Sequence, residues 1–290
     1  LSIAITDGLA DVRSAIGTMA RDRDTAMELY RDVEASVMVS LSADPDKRVL
    51  GVLEKGMSEL SVLPKTVSLR DVTKVLLTGE IYVRRDAFSN HHLTDRLARE
   101  GVWVTTSPVM EWLFYIDHIV VTGLLGRASG RERLKLWLRN LYCRRMADRV
   151  QDILSLSGFY TSHDLDMGFL VRKGEQLIDP RLTGEAILTV SSTLAEIGDS
   201  VHGVISVSPF GCMPGRIAES IITKRLEKDK HLFSRKNAEF WRKHSSALPL
   251  PFLALETDGN PLSQMIETKL DSFVMGAHRL NRELREMRKK

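Results

Sequence analysis

Four short apolar runs, each bounded by turn residues and separated from the next by helical periodicity, limit this chain to few architectures. They are Lys74 to Gly79, Val102 to Thr106, Val204 to Val207 and Pro251 to Leu255. A strand covered on both faces reads as a continuous apolar run, and strand-helix alternation implies a parallel sheet. The expected fold is therefore α/β: a four-stranded, mainly parallel sheet with flanking helices, Rossmann-like and helix-rich, plus an N-terminal helical segment. Right-handed crossovers place all four strand ends on one edge, outside which ligands bind in open sheets. The loops of interest are then 79–90, 107–109, 208–215 and 256–261.

Residues 1–70 carry apolar positions at helical spacing, such as Leu9, Val12, Ile16 and Met19, and then Ala26, Leu29, Val33 and Val37. Three helices are predicted there, with Asp46 capping the third and Pro64 closing it. Residues 71–290 form the expected α/β domain, interrupted by a helical insertion at about 112–157 that Gly158 ends. Further helices are predicted from about His91 to Glu100, from Thr183 to Ile197 and from Arg216 to Glu227. Pro108 is placed at the first position of the helix that follows the second strand.

The longest apolar stretch, Trp112 to Leu125, is broken by Asp117 and His118. It falls short of the ~18 to 20 uninterrupted apolar residues that a membrane helix requires. Two cysteines in 290 residues exclude a disulfide scaffold, and a reducing, cytoplasmic setting is expected. Leu1 has no initiator methionine or secretory signature before it, and reads as an internal position of a processed or longer polypeptide. The formal net charge of +3 does not by itself call for a nucleic-acid partner. Positive charge is nevertheless uneven, with eight basic residues from Arg127 to Arg149 against Glu132 and Asp148. On a helix, Arg131, Lys135 and Arg139 share one side while Leu134, Trp137, Leu138 and Leu141 lie on another. That is the pattern of a solvated face opposite a buried one.

Cys212 is the sharpest chemical feature. Pro209, Gly211, Pro214 and Gly215 surround it with residues that fix a tight backbone, and a helix begins behind it. Helix N-terminal amides favour a thiolate, the form that ligates metal or attacks an electrophile. The plainer alternative is a small buried hydrophobe in a turn. Cys143, mid-helix among Leu141, Arg144 and Met146, reads as packing. Glu80, Arg84, Arg85, Asp86 and Asn90 crowd the loop after the first strand, either as polar chemistry on a rigid scaffold or as a salt-bridged structural loop. Glu256 and Asp258 stand after the fourth strand, available to a substrate or as caps of a helix at Pro261. No HExxH, paired CxxC, GxxxxGK[ST], glycine-rich dinucleotide fingerprint or G-x-S-x-G elbow occurs.

Four segments together carry a resemblance: LLTGEIYVRRDAFSNHHL (76–93), LTGEAILTV (182–190), ISVSPFGCMPGRIAESI (205–221) and PFLALETDGNP (251–261). Over about residues 70–280 they resemble the 2-hydroxyacyl-CoA dehydratase D-component-like region at the C-terminal end of large CoA-enzyme activase fusion proteins. The resemblance implies an anaerobic iron-sulfur system. An ATP-hydrolysing activase module delivers a low-potential electron to a cluster-bearing module, for dehydration of a 2-hydroxyacyl-CoA or a comparably difficult reduction. Cys212 matches the motif cysteine and would ligate a cluster, expected to be [4Fe-4S], with Gly211, Gly215, Asn90 and Glu185 around it. Glu80, Arg84, Glu256 and Asp258 would be the polar lining of the catalytic pocket. Membrane and nucleic acid are not expected as partners.

One plausible thiolate cannot close a [4Fe-4S] cluster, which ordinarily takes several. The remaining ligands are expected upstream of Leu1 or on a partner chain, unless this member has lost the cluster. Phosphate loops of an ATPase are likewise absent from the sequence. The alternative is a non-catalytic assembly module that keeps the fold. A cysteine-nucleophile acyltransferase requires a general base near Cys212, and none is identifiable from spacing.

Overall fold

The computed structural model describes residues 1–43, 48–124, 126, 129–226, 228 and 249–288. The predicted Asp46 cap, Glu227, Lys289 and Lys290 lie outside the described residues. The chain divides into two compact units, one of Leu1–Arg70 with Pro108–Met167, the other of Asp71–Ser107 with Gly168–Lys290. The stretch read as an insertion, 112–157, thus groups with the N-terminal helices. Among the described residues no helix is long and apolar enough to cross a membrane.

The first unit is helical: α1 (Ser2–Met19), α2 (Arg23–Ala43), α3 (Val49–Ser61), α5 (Val109–Thr122) and α6 (Gly130–Ser155). Ile5, Leu9, Val12, Ile16 and Met19 of α1 are buried, as their spacing predicts. Several polar groups inside this unit are matched. Tyr30 donates to the Leu9 carbonyl at 3.0 Å, Asp7 accepts from the Met110 N–H at 3.0 Å, and His163 Nε2 lies 2.6 Å from Asp11 Oδ2. The helical run expected to continue from Trp112 instead breaks at Gly123, which caps α5 at φ 80°. α6 restarts with Ser129 and Glu132 in a reciprocal capping box.

The second unit is α/β. β1 (Thr73–Gly79), β2 (Val102–Thr106), β3 (Val204–Pro209) and β4 (Phe252–Thr257) form an all-parallel sheet in the order β2-β1-β3-β4. Val75, Leu77, Val102, Val104, Ile205 and Val207 pack in one core cluster with Leu93 and Leu97 of α4 (Leu93–Arg99) and with Phe273, Val274 and Ala277 of the last helix. β1 and the edge strand β2 are buried at every residue, whereas β4, at the opposite edge, alternates between buried and half-buried. The remaining helices are α7 (Met167–Gly174), which begins at the last residue of the first unit, then α8 (Glu185–Glu196), α9 (Met213–Leu226) and α10 (Gln264–Arg288). Because α10 begins at Gln264, a helix starting at Pro261 and capped by Glu256 or Asp258 does not form. The helix predicted from His91 also starts later, since His91 and His92 are both left-handed, at φ 57° and 54°.

β1 leads outward to β2 and β3 leads outward the other way to β4, so strand order reverses between β1 and β3. The carboxyl ends of that central pair meet closely. A Cβ on Gly79, which stands at φ +106°, would lie 2.1 Å from the Val207 carbonyl oxygen and 2.7 Å from its nitrogen. Backbone cannot yield as a flexible side chain does. Gly79→Ala is expected to destabilise the protein by more than about 2 kcal/mol in urea unfolding. Gly51→Ala, within α3 and with nothing near its Cβ, is expected to stabilise by about 0.5 to 1 kcal/mol.

Candidate functional site

A reversal of strand order opens a crevice at the carboxyl ends of the two strands that flank it. Here those strands are β1 and β3, and their loops contain Glu80 and Cys212. Glu80 follows Gly79 directly, and its N–H donates to the Val207 carbonyl at 2.8 Å, extending the β1–β3 ladder by one bond. Its carboxylate accepts from the N–H groups of Tyr82 at 3.1 Å and Val83 at 2.8 Å, closing the first turn of the loop. Arg84 is buried and donates through Nη1 to the Gly79 carbonyl at 2.9 Å. Asn90 is buried too, donating to the Arg84 carbonyl at 3.3 Å and accepting from the Leu93 N–H at 3.3 Å. These three side chains therefore hold the loop's own backbone.

Glu185 reaches the same loop from the start of α8, where Oε1 accepts from the Ile81 N–H at 2.9 Å. Burial raises its pKa above the usual carboxylate value, the Ile81 hydrogen bond lowers it, the neighbouring Glu80 raises it and Arg84 lowers it. Sequence spacing alone gave no reason to join Glu185 to Ile81, 104 positions away.

Cys212 sits at the head of α9. Its N–H donates to the Pro209 carbonyl at 3.1 Å, and its carbonyl accepts from the Arg216 N–H at 3.0 Å, the first bond of the helix. The thiol is free and half-buried. Gly211 takes φ 76°, a left-handed conformation that turns the chain from β3 into the helix. Gly215 has a different reason for being small: a Cβ there would lie 2.7 Å from Ser208 Oγ and 3.6 Å from the Cys212 Cβ. Phe210 and Met213, on either side of this turn, are exposed, as are Tyr82 and Phe88 in the β1 loop.

Glu256, at the end of β4, pairs with Arg216 of α9, whose Nε lies 2.7 Å from Oε1. Asp258 forms a local turn, accepting from the Asn260 N–H at 3.0 Å and from its side-chain amide at 2.9 Å. Those bonds hold its carboxyl below the usual range, with His91 adding a smaller effect. Thr257, not singled out from the sequence, ties the edge together: its hydroxyl donates to the Ser89 carbonyl at 2.8 Å, and its carbonyl accepts from the Phe210 N–H at 2.9 Å. Arg85 likewise joins the loops after β1 and β2, with Nη2 3.1 Å from the Ser107 carbonyl. Arg216, in the first turn of α9, was not singled out from the sequence.

An iron-sulfur cluster would demand several converging donors. Among the described residues no three His, Cys, Asp or Glu side chains are grouped to hold a metal ion, and Cys143 belongs to the other compact unit. The described donor set does not fit a self-contained cluster.

Because the folded-state pKa of Glu185 is raised, its protonated form favours folding. That contribution is present at low pH and is lost as pH rises through the folded value. Glu185→Gln keeps an acceptor for Ile81 but stays neutral. Urea unfolding between about pH 4 and 7 is expected to show the variant gaining on the parent as pH rises, and at least as stable at neutrality. A gap that narrows with rising pH would contradict the assignment.

Comparisons of the chain with protein-family models, with curated proteins and with solved structures found no match.

Proposed function

We propose that this chain is one wall of a shared iron-sulfur site in an ATP-dependent anaerobic electron-transfer system. Cys212 would supply one thiolate and another segment or chain the rest. The observation that carries the reading is the position of Cys212 at the head of α9, beside the strand-order reversal and flanked by the exposed Phe210 and Met213. A half-buried thiol framed by exposed apolar side chains suits a surface that a second polypeptide covers. The partner would be an ATP-hydrolysing activase module with the remaining dehydratase-like segments. The substrate class would be a 2-hydroxyacyl-CoA or another acyl-CoA requiring a difficult reduction.

A second reading is an assembly module without a cluster. It is favoured by the bonds of Glu80, Arg84 and Asn90, which go to the loop's own backbone. Iron content separates the two. Anaerobic iron and sulfide analysis with electron paramagnetic resonance, on this chain and on the longest polypeptide or complex containing it, is expected to find a cluster only in the larger species. Cys212→Ser is expected to remove that cluster with the fold intact by circular dichroism. Full iron retention in the variant would refute the ligand role, and iron-free larger species would leave the assembly reading.

A further inference from the structure

The amino-terminal half of α6 leaves the apolar side of an amphipathic helix in solvent. The carboxyl-terminal half buries Ala147, Val150, Ile153 and Leu154. The amino-terminal half instead leaves Leu134, Trp137 and Leu138 exposed by 58%, 59% and 53%, with Leu141 and Tyr142 exposed as well. These positions follow an i, i+3, i+4, i+7, i+8 spacing and make one continuous stripe. The sequence pattern predicted that this side would be buried and the Arg139 side solvated. The structure corrects the first and keeps the second: Arg131, Lys135 and Arg139 are all exposed, Arg139 while pairing with the buried carboxylate of Asp117 on α5.

Beside the stripe runs a groove of about 140 Å³, lined by Phe114, His118 and Val121 of α5 and by Trp137, Asn140 and Arg144 of α6. Asn140 Oδ1 is buried there with no hydrogen-bond partner among the described residues. A buried acceptor in that state calls for a donor from outside. The surrounding charge is one-sided, since Gly130 to Met146 holds six basic residues and only Glu132 as an acid. Glu132 is engaged by the Ser129 N–H at 2.7 Å in the capping box. Arg131, Arg133, Lys135 and Arg145 are exposed around the stripe.

We propose that this face docks an amphipathic helix of a partner protein. Its apolar residues would lie on Leu134, Trp137, Leu138 and Leu141, its edges would carry Asp or Glu, and a side chain would seat in the groove. Charge complementarity selects this occupant. A second copy of the chain would set Arg131, Arg133, Lys135 and Arg145 against their own counterparts, a like-charge contact that costs affinity. An anionic membrane would match the charge. Lipid phosphates and ester carbonyls only accept hydrogen bonds, however, and offer nothing to Asn140 Oδ1, and a concave groove fits a side-chain knob better than a planar lipid surface.

The test titrates the whole 290-residue chain into two dye-labelled synthetic helical peptides, read by fluorescence anisotropy. Both carry the same leucine face; one is edged with Glu and the other with Lys. The Glu-edged peptide is expected to bind in the micromolar range and the Lys-edged one at least about tenfold more weakly. Leu138→Glu, and separately Arg131→Glu with Lys135→Glu, are each expected to weaken binding by about tenfold or more. These positions are exposed, so unchanged thermal unfolding is expected to accompany the loss. Equal binding of the two peptides, no binding of the Glu-edged one, or binding that survives both sets of substitutions overturns the proposal. So does concentration-dependent self-association that Leu138→Glu abolishes, which would make a second copy the occupant. Sedimentation with phosphatidylglycerol vesicles, lost in Leu138→Glu while neither peptide binds, overturns it in favour of a membrane.

Discussion

The close pairing of β1 with β3 is the seam on which the α/β unit depends. β1 and β2 form one half and β3 and β4 the other, and the parallel register from Leu76 opposite Val204 to Gly79 opposite Val207 is the ladder that joins them. Gly79 sets how far that ladder runs, because its missing side chain admits the Val207 peptide and lets Glu80 add one more bond. The consequence is local rigidity. The loops after β1 and β3 leave the sheet side by side, and Thr257 at the end of β4 bonds to both of them. A site built on such a scaffold inherits its geometry from the sheet.

The strands were legible because parallel strands buried on both faces leave unbroken apolar runs. Val102 to Thr106 emerges with the predicted bounds. β3 and β4 run past their apolar runs, to Pro209 and Thr257, because polar residues and even proline remain paired there at the ends of the ladder. Helix boundaries were less legible where an end is set by conformation rather than hydrophobicity. His91 and His92 fit a helical pattern by composition, yet both adopt left-handed angles before Leu93, whose N–H the Asn90 side chain accepts. The break at Gly123 had a readable counterpart in the Ser129–Glu132 capping box, which marks a new helix start inside an apparently continuous pattern.

Placement at the candidate site was easier to read than role. Glu80, Arg84 and Asn90 sit on the expected edge, but sequence spacing cannot say that their hydrogen bonds run to backbone atoms a few residues away. The long-range ties were illegible for a different reason. The pairing of Arg216 with Glu256 arises only once β3 and β4 are adjacent, and that of Glu185 with Ile81 only once α8 lies near the end of β1. α6 shows the complementary limit. Periodicity separates two sides of a helix, but it does not say that the apolar side packs: Leu134, Trp137 and Leu138 stay exposed along with Arg131, Lys135 and Arg139.

The internal bonding of the β1 loop bears directly on how a shared site would work. A partner that completes a cluster must meet Cys212 at fixed geometry, and each loop that orders only on binding subtracts from affinity. Glu80, Arg84, Asn90 and Thr257 hold the neighbouring loops before any partner arrives, and the Pro209 carbonyl and the first turn of α9 hold Cys212 itself. Side chains bonded to their own loop are therefore compatible with a site beside them. On the proposed reading they would supply the preorganisation that a single donor requires, since one thiolate contributes to a multi-thiolate centre only if its position is already set when the others approach.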